Sequence, residues 1–238
     1  MASEGGRISV CPLCEANAFD MRNHMGMHIL RSLSNIPEEP PLKEPVGVTY
    51  PCGFCGRSGI PECAITIIVP NSAAPTWTTS CIYKHSFRYG SADAGSKTTP
   101  CRNIPLKCEL CHPVLPPEPG RASRKNATVS VDAVWRYNLP EHIFKEHEEY
   151  SLPGRREVGV ALPASVLRAM GLMELEQKAA RIPSVRWMPS YQDVEKENVQ
   201  PSGSRRSKRP AMGPAASMPA KRVRIATQPL HTARTLVV

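Results

Sequence analysis

The sequence predicts a string of small α+β modules, each closed around a metal ion, followed by a disordered basic tail. Three observations carry this. Cysteine pairs at x2 spacing occur at Cys11/Cys14, Cys52/Cys55 and Cys108/Cys111, each with more Cys or His downstream. Aromatic residues make up only 5% of 238 residues while prolines number 25, a composition poor in core-forming side chains. Beyond Glu197 no acidic residue occurs. Thiolates and imidazoles at such spacing form the ligand sets of tetrahedral zinc, so about three Zn2+ ions are expected. Metal binding then supplies folding free energy that apolar burial alone would not.

Cysteine usage and the N-terminal residues set the expected compartment. Nine cysteines are an odd number, and MASEGGRISVCPLC has no signal-peptide pattern. The best apolar run, Ala64–Pro70, has the length of a strand and not of a membrane span, so no membrane partner is expected. A reducing intracellular setting follows, where Cys-x2-Cys reads as metal binding more readily than as disulfide.

The first unit is placed at 8–30, with ligands Cys11, Cys14, His24 and His28. The cysteines fit a tight hairpin turn. The histidines stand four apart, on one face of a helix. Phe19 and Met21 are assigned to the small core behind the metal. The pattern resembles a C2H2 zinc finger, with Met21 at its apolar helix position. Nine residues separate Cys14 from His24, against about twelve in that family, which shortens the second strand or the first helical turn. Arg22 is the one basic side chain between the ligands, against Glu15 and Asp20. That is little positive charge for reading DNA.

Residues 31–49 (with IPEEPPLKEP) read as a linker, and 50–107 as a cysteine-rich β unit. PCGFCG is a knuckle whose glycines permit the turn around the thiolates. Strands are expected at Cys63–Val69, Thr79–Tyr83 and Phe87–Tyr89, with loops at Asn71–Pro75 and Gly90–Lys97. The distal ligands are open between Cys63, Cys81, His85 and Cys101. The preferred set is Cys52, Cys55, Cys81 and Cys101, with Cys63 a buried free thiol on a strand.

Residues 108–150 form a divergent C2H2-like finger with a long insertion and ligands Cys108, Cys111, His142 and His147. The insertion is tolerable because loop closure costs grow slowly with length. Asn138 is expected to cap a helix with Pro140 in its first turn and Glu141 three residues after the cap. Trp135 and Tyr137 are expected to cover this site. Glu141, Glu146, Glu148 and Glu149 make the helix acidic.

A short helical region follows at 151–187, with helices expected at Pro163–Arg168 and Met170–Arg181 and an apolar face of Leu167, Met170, Leu172, Met173 and Leu175. Residues 188–238 read as a disordered basic tail. It carries Arg205, Arg206, Lys208 and Arg209, then Lys221, Arg222 and Arg224 eleven residues on. The two clusters resemble a bipartite nuclear import signal, which implies an import receptor as partner and the nucleus as location. The same charges can contact nucleic-acid phosphates.

Enzyme patterns do not fit. HEEY at 147–150 is not HExxH, GRSG at 56–59 is not a phosphate loop, and no G-x-S-x-G elbow occurs. Closed Cys/His sites leave no open coordination position. CGFCG (52–56), PCRNIPLKCELC (100–111) and WRYNLPEH…H (135–147) occur together here. In that combination the chain resembles a class of uncharacterised fungal proteins with degenerate C2H2-like fingers. The resemblance implies one array of cysteine and histidine ligands and no defined activity. The expected function is therefore a nuclear zinc protein that binds nucleic acid in transcription or chromatin regulation. The alternatives are a zinc-scaffolded protein-interaction module, or a degenerate chain with no retained activity.

Overall fold

Strand β1 (Ser9–Val10) pairs antiparallel with β2 (Asn17–Ala18), Ser9 facing Ala18. The turn between them closes through Glu15 N–H donating to Cys11 O at 2.9 Å. These elements belong to a computed structural model that describes residues 8–70, 73–113, 130–151 and 159–188. Helix α1 (Met21–Leu33) starts where Asp20 Oδ1 accepts the N–H of Asn23 at 2.9 Å, a side-chain cap for an otherwise orphan donor. The short spacing between Cys14 and His24 is thus absorbed by a two-residue strand, and the helix is full length. Residues 36–47, expected as part of a linker, lie against this unit. Val46 is buried, Ile36 and Leu42 pack on the same core, and Lys43 N–H donates to Leu13 O at 2.7 Å.

The middle unit is a three-stranded antiparallel sheet. β3 (Ile65–Ile68) sits between β4 (Thr76–Thr79) and a third strand, Val131–Asp132, from beyond the insertion. Ile65 and Ile67 are buried while Thr66 and Ile68 are half-buried, the period-two pattern of a strand with one covered face. The expected strand Thr79–Tyr83 is displaced: the strand ends at Thr79, and Lys84 N–H donates to Cys81 O at 3.0 Å in a turn. Cys81 must leave the sheet to face the other thiols, so the ladder stops before it. The expected strand Phe87–Tyr89 gives way to helix α2 (Tyr89–Ala94), which also replaces most of the expected loop Gly90–Lys97. Phe87 instead stacks on Trp77, ring centroids 4.8 Å apart.

β5 (Pro105–Leu106) follows, then β6 (Val131–Asp132), which pairs with β3, and β7 (Val134–Trp135), which pairs with β5. A single 3₁₀ turn leads into α3 (Leu139–Glu146). Asn138 does not cap it. Its backbone is helical, and its buried side chain donates to Pro51 O at 3.0 Å, tying α3 to the knuckle. β8 (Tyr150–Ser151) pairs parallel with β9 (Val160–Ala161), and α4 (Ala164–Met170) and α5 (Glu174–Ala179) complete the described chain.

The two last helices separate between two cores. α4 brings Val166 onto Leu139 and Ile143 of α3. α5 and its flanks bring Leu172, Ala180 and Ile182 onto Met25, Ile29 and Tyr137. The intervening core holds Phe54, Ile65 and Trp135. The apolar face expected at Leu167–Leu175 is therefore divided: Leu172 is buried, Leu167 and Met170 pack on the α3 core, and Met173 and Leu175 are exposed. The described residues fall in one compact unit, not in separate beads. None of their helices is long and apolar enough to cross a membrane.

Candidate metal centres

Three clusters of Cys and His can each hold a metal ion, and within each the donor atoms lie within 4.8 Å of one another. They are Cys11, Cys14, His24 and His28; Cys52, Cys55, Cys63 and Cys81; and Cys108, Cys111, His142 and His147. The count agrees with the three Zn2+ ions expected from the sequence.

The first centre joins the β1–β2 turn to one face of α1. Cys14 Sγ is 3.2 Å from His24 Nε2, and the two histidine Nε2 atoms are 3.1 Å apart. His28 Nδ1 lies 2.8 Å from Glu38 Oε1, which orients the ring so that Nε2 faces the cluster. Arg31 Nε in turn holds the other Glu38 oxygen at 3.2 Å. Glu38 comes from the Pro- and Glu-rich segment and was not visible as part of the site in sequence. Burial, then the neighbouring His28, lowers the pKa of His24, which favours the neutral imidazole that a metal takes. Burial pushes the Cys11 thiol up to about 11. Behind the metal lie Leu13, Met21 and Met25. Phe19, expected there, is 70% exposed because β2 ends before it and the turn swings it outward.

The middle centre has a different fourth ligand from the expected one. Cys55 Sγ is 3.5 Å from Cys63 Sγ, and Cys52 Sγ is 3.9 Å from Cys81 Sγ. Cys63 ends a 3₁₀ turn just before β3, which swings its thiol toward the knuckle instead of leaving it on the strand. Phe54 N–H reaches Cys52 Sγ at 3.5 Å. Hydrogen bonds from Cys52 and Cys81 hold Cys55 far down, to about 2, while the same network raises Cys52. His85 is outside it.

Cys101 is the correction. It is fully buried at the seam between α1 and the 3₁₀ turn before α3, away from the other thiols. Its backbone oxygen accepts from Arg22 at 2.7 Å, and Tyr137 O–H lies 3.4 Å from its sulfur. Arg22 is itself 1% exposed and sits 5.0 Å over the Phe87 ring. The Tyr137 hydroxyl also donates to the buried Glu176 of α5 at 2.6 Å. So Tyr137 belongs to the first core and Trp135 to the middle one, where it meets Phe54 edge-on at 5.1 Å. Neither covers the third centre, as had been expected of both. Leu139, Ile143 and α4 do.

The third centre places Cys111 Sγ 3.3 Å from His142 Nε2 and 3.2 Å from His147 Nε2, with Cys108 Sγ 3.5 Å from His147 Nε2. His142 is inside α3 and His147 is its C-cap, so the wide histidine spacing is met by ending the helix between them. Burial opposes the Cys108 thiolate, but hydrogen bonds from His142 and the backbone N–H groups of Cys111 and Leu110 outweigh it and bring the thiol to about 6. Cys111 rises to about 11 through burial and its bond to Cys108.

The residues fit zinc. A tetrahedral ion with bonds of about 2.3 Å to sulfur and 2.0–2.1 Å to nitrogen requires donor–donor edges of roughly 3.3–3.8 Å. The shortest edges, from 3.1 to 3.9 Å, lie close to that and all lie within 4.8 Å, and the 3.5 Å thiol pair is far beyond a disulfide bond of about 2.05 Å. Four donors per centre close the coordination shell, which suits a structural role. Native mass spectrometry provides the check. Cys63→Ala should bind two zinc ions and Cys101→Ala should retain three; the reverse pattern would restore Cys101 as a ligand.

The basic residues Arg205, Arg206, Lys208, Arg209, Lys221, Arg222 and Arg224 lie outside the described residues. No family model matches the chain, and neither a curated protein nor a solved structure is similar to it.

Proposed function

We propose that this chain is a nuclear protein-interaction scaffold, its three zinc centres fixing one rigid surface instead of presenting fingers to DNA. One observation carries the reading: no residue from Met21 to Leu30 is exposed. A finger that reads bases does so with exposed side chains at the start of its helix. Here those positions are covered by Cys101, Tyr137 and the flanks of α5. Arg22, the only basic side chain between the first ligands, is buried with Nη1 donating to Cys101 O and Asn103 O and Nη2 lying 3.6 Å from Asp20. The other finger helix, α3, pairs its one basic residue, Lys145, with Glu141 at 2.6 Å and leaves Glu146 exposed, so it offers no net positive charge to a phosphate backbone.

The tail supports a second, narrower role. An acid-free segment with clusters at Arg205–Arg209 and Lys221–Arg224 suits an import receptor and sequence-independent contact with nucleic acid.

Selection from a randomised DNA pool with the full chain tests both. No enriched motif is expected, only weak binding that falls with salt. Replacing Arg205, Arg206, Lys208 and Arg209 by alanine should remove that binding, and should keep a cargo too large to diffuse through nuclear pores out of the nucleus. A motif enriched equally by this variant would overturn the scaffold reading.

A further inference from the structure

A cavity of 690 Å³ opens between the middle and third centres. That volume is in the range of sites that hold small ligands or short peptides. Cys52 and Cys63 reach its wall from one side, Cys111 and His142 from the other. Ile60, Pro61 and Ala64 in and beside the 3₁₀ turn, Ala133 between β6 and β7, and Val134 of β7 make the rest largely apolar.

The charges at its rim do not balance. Arg57 is already neutralised, its Nε and terminal nitrogen on Glu44 at 2.8 and 2.9 Å. Asp132 and Glu146 are exposed at the rim, and neither is in an ion pair among the described residues.

We infer that this cavity binds a short peptide segment of a partner protein through a lysine or arginine side chain. The cation answers Asp132 and Glu146. Its methylene stem suits the apolar walls. An anionic ligand meets two carboxylates and the thiolate sulfurs, and a purely apolar one leaves the carboxylates unanswered.

The inference rests on the scaffold reading and names the chemistry of its partner. The test uses the full, zinc-loaded chain and a fluorescein-labelled hexapeptide with two adjacent lysines, beside the same peptide with two glutamates. Anisotropy should show binding of the first alone, weakening as salt rises. Asp132→Asn with Glu146→Gln should weaken it by about tenfold, as two partly exposed ion pairs would. Glu174→Gln, at an exposed position of α5, should not change it, and all variants should keep three zinc ions. Equal binding of both peptides, or unchanged binding by the double variant, overturns the inference. An unbiased octapeptide display separates the two levels. Selected peptides that lack basic residues sink the cavity assignment and leave the scaffold reading intact. Failure to select any peptide, together with an enriched DNA motif, sinks both.

Discussion

Removing the metal with a strong chelator is expected to unfold all of the described residues together, including α4 and α5, which contribute no ligand. The argument starts from the cores. The middle knuckle leans on the first unit: Gly56 has φ +69°, and a Cβ there would meet Met25 Sδ at 2.6 Å and Leu13 Cδ1 at 2.7 Å. Asn138 ties the third unit to the knuckle through Pro51 O. Tyr137 and Glu176 tie α5 to the seam that Cys101 and Arg22 fill. Each structural zinc contributes on the order of 10 kcal/mol or more to folding of a small module. A whole domain retains only about 5–15 kcal/mol of net stability. Loss of even one ion therefore exceeds what the shared packing can replace. Amide dispersion by NMR, followed during titration with chelator, should collapse in one step for residues of every core. Retention of α5 resonances after the first ion leaves would show that the units fold separately.

The second large effect is expected from one methyl group. Gly26 lies in the middle of α1, where alanine ordinarily stabilises a helix by about 1 kcal/mol. At this position the added Cβ would fall 2.0 Å from Cys101 Sγ and 3.3 Å from Cys101 Cβ. Cys101 is fully buried and cannot retreat into solvent. Gly26→Ala should thus reverse the usual sign and cost about 1–3 kcal/mol, the range for overpacked cores. Cys101→Ala removes the sulfur, and in that background Gly26→Ala should lose most of its penalty. Urea denaturation of the two single variants and the double, each with its zinc count checked, gives the coupling directly. A Gly26→Ala protein more stable than the parent would mean that α1 and the Cys101 segment are not packed this closely.

Much of the ligand chemistry was legible because it depends on local spacing. Cys11/Cys14 with His24/His28 is a turn followed by a helical i, i+4 pair, and Cys108/Cys111 is the same kind of turn. The fourth ligand of the middle centre was not legible. Cys63 stands at the head of an apolar run, where strand alternation makes a buried free thiol the natural reading. What moves it is a 3₁₀ turn starting at Pro61, a proline in the first position of a short helix. Cys101 misled for the opposite reason. Its composition neighbours look like ligand-bearing sequence, while its role is set by Arg22, Tyr137 and Glu176, all more than thirty residues away. Trp135 and Tyr137 show the same limit. They stand two residues apart, on either side of Arg136, and each serves a different core. Burial of the α1 surface was equally out of reach, since the covering residues come from both the middle of the chain and α5. Glu38 sat in a segment whose prolines and acids read as linker, and only the return of the chain over α1 brings it to His28.

That covering of α1 has a consequence for how the protein is made. All four ligands of the first centre have been synthesised by His28, but Leu172, Ala180 and Ile182, which seal the back of the helix, arrive about 150 residues later. At ~5–20 residues per second the interval is roughly seven to thirty seconds. During it the earliest-formed element holds its ion with Met25, Ile29 and Leu30 uncovered, an apolar surface of the kind chaperones hold. A ribosome that stalls before Leu172 leaves that surface open for good, so the solubility of the N-terminal half is decided by residues near the end of the described chain.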